Sequence, residues 1–247
     1  MRHVVLTRAL YGPDWPELDN RARLELTRRI TARLMAAQTT REWTWRIALD
    51  RRDALLEARM EVFADAAPRV EFLFWDPPAE PRTAPWDRKP EMGGYRDRLA
   101  ASAYQAPWRA GWDDCLPLLM TRIDDDDGFA PDALARFARA AAMMTARTAL
   151  MLPVGFRIWA GRMDRVTHPA NAMSSLFTPA GDSLCIYDYG HTRVRAEVRT
   201  LVVDRRPGWL WIRHPNTLSG WRRARRKVTP DVVRTFPIDW RFLGAHL

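Results

Sequence analysis

Short β-branched and aromatic runs alternate with longer segments of helical period over the first 150 residues. That alternation restricts the fold more than any other feature. Val4, Val5 and Leu6 form the first run, which closes on Thr7 and Arg8. Asp19 and Asn20 are N-cap candidates for a helix reaching about Gln38, in which Leu26, Ile30 and Leu34 make one buried stripe. WTWRIAL, from Trp43 to Leu49, reads as a second strand ending at Asp50, and a helix follows over about residues 53–64. VEFLFW, from Val70 to Trp75, is a third strand stopped by Asp76-Pro77-Pro78. Repeated β-α-β units build a mostly parallel sheet, whose ligands sit at the carboxyl ends of the strands. Thr7, Arg8, Asp50 and Asp76 occupy such ends.

Residues 77–107 are rich in Pro, Gly and charge and read as a crossing segment with one helix near 95–104. A strand is expected over residues 116–123. A helix follows from Pro131, with Leu134, Phe137, Ala138 and Ala141 on its apolar face. Beyond Gly155 the pattern turns to strands, expected over 156–159, 184–187, 194–203 and 209–212. The expected architecture is α/β: a mostly parallel central sheet flanked by helices, with a β-rich C-terminal part. One 247-residue domain is divided into an α/β half (1–150), a β-rich half (151–220) and a basic tail (221–247).

The formal net charge is +9. All of the excess lies after Gly190, where 13 basic residues face 4 acidic ones. The neutral first 190 residues make no basic groove, and no helix-turn-helix, zinc module or RNA-stacking motif occurs, so no nucleic-acid partner is expected. Two cysteines form neither a metal spacing nor a disulfide framework, which fits a reducing, cytoplasmic setting. No apolar stretch is long enough to span a membrane.

The segment with the most chemistry is LLMTRIDDDDGFA, residues 118–130. A buried strand delivers Asp124, Asp125, Asp126 and Asp127 to its carboxyl end, and a helix begins just after. Four adjacent carboxylates repel, so a hard divalent cation is their natural partner. The plainer alternative is an acidic turn that caps the following helix.

TRIDDDDGFAPDAL resembles the TRxDxDDxL segment of the putative rhamnosyltransferase family, which belongs with the GT-A type glycosyltransferases. LTRALYGPD, RRITARLMAAQTTREWTWRIALD and WLWIRHPNTLSG resemble further family segments in the same order. Ala9 replaces an aromatic residue of that pattern, and the motif holds one extra aspartate. The resemblance implies a GT-A-like (Rossmann-like) fold and sugar transfer from a nucleotide-sugar donor, with Mn²⁺ or Mg²⁺ bound at the acidic motif. It implies that Asp124 faces the ribose or the metal, that Asp126 binds the metal, and that Asp127 is an alternate for either task. Thr7, Arg8 and Asp50 would line the nucleotide cleft, and Arg122 would contact the diphosphate. On this likeness residues 1–150 bind the donor and residues 151–220 face the acceptor, a glycan or a lipid-linked molecule.

GT-A enzymes often recruit a late histidine. His214 is the candidate metal ligand, and His191 is the candidate at the donor diphosphate. An inverting reaction needs a base for the acceptor hydroxyl, and Asp164 and Asp188 are the candidates. WRRARRKVTP, residues 221–230, packs four arginines and Lys227 into six positions. It reads as a solvated turn, as an anion contact within the site, or as a patch for peripheral contact with anionic membrane at its inner face. The alternative for the whole chain is a non-catalytic module that binds anionic membrane or nucleic acid through those arginines.

Overall fold

β1 (Arg2–Ala9) is buried along both faces, as expected of an inner strand of a parallel sheet covered on both sides. Val5 and Ala9 point into one hydrophobic cluster, while Val4 and Leu6 point into another on the opposite face. The structure is a computed structural model that describes residues 1–11, 17–75, 108–159, 162–169, 173–188, 194–213 and 226–246.

Beside β1 lie β2 (Thr44–Leu49) and β4 (Leu118–Arg122), both parallel to it, and β3 (Val70–Phe74) lies parallel to β2. Past β4 come β9 (Ser175–Thr178), β6 (Thr148–Met151) and β10 (Thr200–Val202). The seven-stranded order is β10-β6-β9-β4-β1-β2-β3, and β9 alone in this sheet runs antiparallel to its neighbours. This is the mostly parallel α/β sheet that the alternation of runs predicts. A second sheet contains β5 (Gly128–Phe129), β7 (Val154–Trp159), β8 (Arg162–Thr167), β11 (Trp209–Arg213) and β12 (Arg226–Lys227) in the order β12-β8-β7-β11-β5.

One face of the first sheet is covered by α1 (Glu17–Leu26), a π-helical turn (Thr27–Thr31), α2 (Ala32–Ala36), α3 (Leu56–Ala64) and α4 (Ala133–Ala141). Backbone angles stay right-handed helical on both sides of the π turn, so Glu17–Ala36 forms one continuous helix with a widened middle. Its Leu24, Leu26, Ile30 and Leu34 enter the same core as Trp45, Phe63, Phe129 and Phe137. Phe156, Ile158, Leu210 and Ile212 of the second sheet join that core, so one apolar interior serves both sheets. The opposite face of the first sheet is closed by Trp108, Ile186, Tyr187, Val194 and Val198.

Several expectations need correcting. Residues 184–187 form no strand. A 3-10 turn (Ile186–Asp188) stands there, held by Tyr187 stacking on Trp108 with centroids 4.6 Å apart. The strand expected over 194–203 is a short helix, α5 (Val194–Glu197), followed by β10. Strands β5, β6, β8 and β9 escaped the sequence pattern, and the β-rich part divides between two sheets. The final residues are no plain tail. α6 (Pro230–Thr235) and α7 (Trp240–His246) follow β12, and they and their connection bury Val232, Phe236, Ile238 and Leu243. Asp76, the helix near 95–104 and the arginines at 222, 223 and 225 lie outside the described residues. Among the described residues no helix is long and apolar enough to cross a membrane.

Candidate active site

β4 is buried at all five positions and ends where the acidic run begins. The Asp127 amide closes a turn on the Asp124 carbonyl at 3.2 Å, and the chain then enters β5 of the other sheet. The run therefore spans the gap between the two sheets. Thr31 Oγ1 of the π turn donates to the Asp127 carbonyl at 2.7 Å, and the Ile212 amide of β11 donates to Asp127 Oδ1 at 3.0 Å. Gly128 comes next. A Cβ there would lie 2.1 Å from Leu34 Cδ1, so no larger residue fits between the run and α2 without a shift.

The four carboxylates differ sharply in surroundings. Asp125 is buried and accepts hydrogen bonds from the Tyr11 hydroxyl and from Arg23 Nη2 at 3.1 Å. Asp126 Oδ2 pairs with Arg23 Nη1 at 2.5 Å. Asp127 is buried, and burial together with the fields of Asp126 and Asp124 pushes its carboxyl well above the usual carboxylate range. Asp124 keeps the most contact with solvent, its side chain 19% exposed, and lies 3.4 Å from Arg8 Nε and 3.7 Å from Arg122 Nη2.

Arginines rim the run. The Arg122 guanidinium lies 4.8 Å from the centroid of the Tyr187 ring, and burial raises the Tyr187 phenol's pKa. At the end of β11 the Arg213 guanidinium sits 3.7 Å over the Trp211 ring. Burial lowers the Arg213 pKa, and the fields of Asp127 and Asp126 raise it against Arg157. Arg157 in turn pairs with Asp164 at 2.7 Å across the β7–β8 hairpin.

The structure thus brings Arg8, Arg122, Asp124, Asp126 and Asp127 together, and places Asp164 on the second sheet, paired with Arg157. It places other candidates elsewhere. Thr7 is fully buried and accepts the Trp45 indole N–H at 2.9 Å, so it belongs to the core under the sheet rather than to a cleft wall. Asp50 is buried at the end of β2, where its carboxylate accepts from the Arg52 amide and guanidinium. Asp188 accepts the Cys185 amide at 2.6 Å and so caps its own 3-10 turn, and burial raises its pKa. His191 and His214 lie outside the described residues. Arg23, Tyr11 and Arg213 are the site residues that sequence reasoning missed. Arg213 lies inside WLWIRHPNTLSG and Tyr11 inside LTRALYGPD, two segments that carry the resemblance, whereas Arg23 carries no local signal.

Carboxylate oxygens are the ligands that Mg²⁺ and Mn²⁺ prefer. Four successive carboxylates at the end of β4 supply that donor chemistry, so the residues fit such an ion. Among the described residues no three His, Cys, Asp or Glu side chains converge as a ready-made metal site. Any ion held here would complete its coordination with water or ligand oxygens.

A sequence model of the family described as putative rhamnosyl transferase matches residues 95–226, more than half of the chain. No curated protein matches. Among solved structures, S. aureus TarS superposes with a TM-score of 0.45 at 9% identity, covering 87% of this chain and 37% of TarS. The chain thus spans little more than a third of that protein's length. A protein from Desulfovibrio desulfuricans G20 described as a putative nucleotide-diphospho-sugar transferase gives 0.38 at 14% identity, covering 86% of this chain and 82% of the other. A 4-diphosphocytidyl-2C-methyl-D-erythritol synthase gives 0.38 at 13% identity, covering 94% and 95%.

Proposed function

This chain belongs to the putative rhamnosyl transferase family, and from that premise we propose that it is a glycosyltransferase, carrying out a metal-assisted transfer from a nucleotide-sugar donor. The family's description makes rhamnose the first sugar to try, with a glycan or lipid-linked molecule as acceptor. The observation that carries this reading is the acidic run at the carboxyl end of β4, rimmed by Arg8, Arg122 and Arg213.

Asp124 and Asp126 would hold Mn²⁺ or Mg²⁺, with Asp127 as the reserve ligand. A bound ion would supply Lewis-acid stabilisation of the charge that grows on the departing nucleoside diphosphate. The protein's own contribution is positive charge that is already in place. Arg8 and Arg122 flank Asp124, and Arg213 follows Ile212, whose amide on the second sheet bonds Asp127. Guanidinium forks suit phosphate oxygens, and their fixed positions avoid reorganisation as charge develops. Trp211 stacks beneath the Arg213 guanidinium. Asp164 stands on the second sheet, tied to Arg157, and is the better of the two base candidates. A base there would take the acceptor hydroxyl's proton as that oxygen attacks the anomeric carbon.

The test is a screen of nucleotide sugars for donor hydrolysis, read beside thermal shifts with Mn²⁺ and nucleoside diphosphates. At least one nucleoside diphosphate should raise Tm in the presence of Mn²⁺, and the double variant Asp124→Asn/Asp126→Asn should lose that increment. Absence of both hydrolysis and nucleotide-induced stabilisation with every donor would overturn the reading.

A further inference from the structure

Arg23 of α1 grips the acidic run more tightly than any other described residue. Its Nη1 meets Asp126 Oδ2 at 2.5 Å and its Nη2 meets Asp125 Oδ1 at 3.1 Å, while Nε donates to the Tyr11 hydroxyl at 2.8 Å. The grip is braced from behind. The Tyr11 ring lies 4.0 Å from the Arg59 guanidinium, which is fully buried and bonded to Asp53 at 2.8 Å and to Asn20. Asn20 Nδ2 closes the group by donating to Asp53 Oδ1 at 2.8 Å.

The two aspartates that Arg23 touches are not held alike. Asp125 is 2% exposed and takes bonds from two different side chains, Tyr11 and Arg23. It is an anchor that fixes the guanidinium in place. Asp126 meets that guanidinium through Nη1. A guanidinium neutralises charge without coordinating, whereas an ion such as Mg²⁺ needs the carboxylate oxygen itself at about 2.0–2.1 Å. The two compete for Asp126.

We propose that Arg23 is a resident counter-cation of the acidic run, which yields Asp126 to the divalent metal when the donor's diphosphate arrives. The proposal rests on the metal-assisted reading above and makes Arg23 a positioning residue. While Arg23 holds Asp126, the run offers a lone metal ion less negative charge than four aspartates suggest. The diphosphate restores the missing charge, so metal and nucleotide each strengthen the binding of the other.

The experiment measures Mn²⁺ affinity from the EPR signal of free Mn²⁺, with and without nucleoside diphosphate. The wild-type chain is compared with Arg23→Met and Arg23→Lys. Without nucleotide, Arg23→Met should bind Mn²⁺ tighter by on the order of tenfold, the scale of one charged hydrogen bond. Its gain on adding nucleotide should shrink in proportion. Arg23→Lys keeps the charge and should stay near wild type. Where wild type binds Mn²⁺ and a folded Arg23→Met binds it no tighter, the proposal falls and the metal reading stands. Where neither binds Mn²⁺ under any condition, the metal reading itself falls and takes the proposal with it. Should Arg23→Met not fold, the wild-type Arg23 Nε–H resonance, assigned through Arg23→Lys, decides. It should shift and exchange faster with water when Mg²⁺ and nucleoside diphosphate are added together, and an unchanged resonance would overturn the proposal.

Discussion

His3 shows how much one buried side chain governs the behaviour of this fold. Its Nε2 lies 2.9 Å from Thr121 Oγ1, which lies 2.6 Å from Ser175 Oγ, so a polar thread ties β1 to β4 and β9. Burial lowers the His3 pKa from 6.5 to about 3. The unfolded chain therefore takes up a proton at a pH where the folded chain still refuses it. Stability from this group is complete above pH 6.5 and is lost as pH falls towards 3, by up to about 1.4 kcal/mol per pH unit. Urea midpoints measured between pH 7 and pH 5 should decline, and His3→Gln should flatten that slope. At the same scale, only part of the site was legible beforehand. The acidic run announced itself because four like charges at the end of a buried strand need an explanation. Arg23 and Tyr11 stayed hidden because their role comes from proximity in space, and an arginine among 37 carries no signal of its own. Thr7 misled for a related reason. A polar residue at a strand end suggests a cleft, yet the Trp45 indole satisfies it inside the core.

At the scale of elements, strands built from one continuous apolar run were readable, as β1, β2, β3 and β4 show. Strands of mixed composition were not. β8 reads RMDRVT with only Met163 buried, so its identity depends on pairing with β7. Ile186 and Tyr187 erred the other way, since β-prone residues there are buried by Trp108 without any ladder. The β7–β11 pairing gives a direct check on packing. A Cβ on Gly155 would lie 2.1 Å from the Trp209 ring, whose indole N–H donates to the Leu152 carbonyl at 2.7 Å. Gly155→Ala should lower the stability by about 1–3 kcal/mol, the usual cost of overpacking a core. Chemical denaturation followed by tryptophan fluorescence measures it, and an unchanged midpoint would show that Trp209 moves aside freely.

At the scale of the whole molecule, the two sheets share one interior, and the last described segment closes it. Phe236 is fully buried and meets Phe156 of β7 edge to face at 6.1 Å. Phe236→Ala should cost about 3–5 kcal/mol, and a chain ending at Thr229 should show no cooperative melt by circular dichroism. A truncated chain that melts like the intact one would mean that the C-terminal helices are dispensable. Composition could not show this, because the segment's excess of arginine masks four apolar residues that anchor it.

The π turn at Thr27–Thr31 carries a consequence for how this family can vary in length. In a regular helix each residue turns the chain by about 100°. A single deletion within the turn, enough to restore an ordinary α-helix, would swing Arg23 around the axis by about that angle relative to Leu34. The extra residue acts as a phase setting: it lets one helix present a cation to the aspartates at one end and an apolar wedge beneath Gly128 at the other. Insertions and deletions should therefore be tolerated before Glu17 or after Ala36 long before they are tolerated between Arg23 and Leu34.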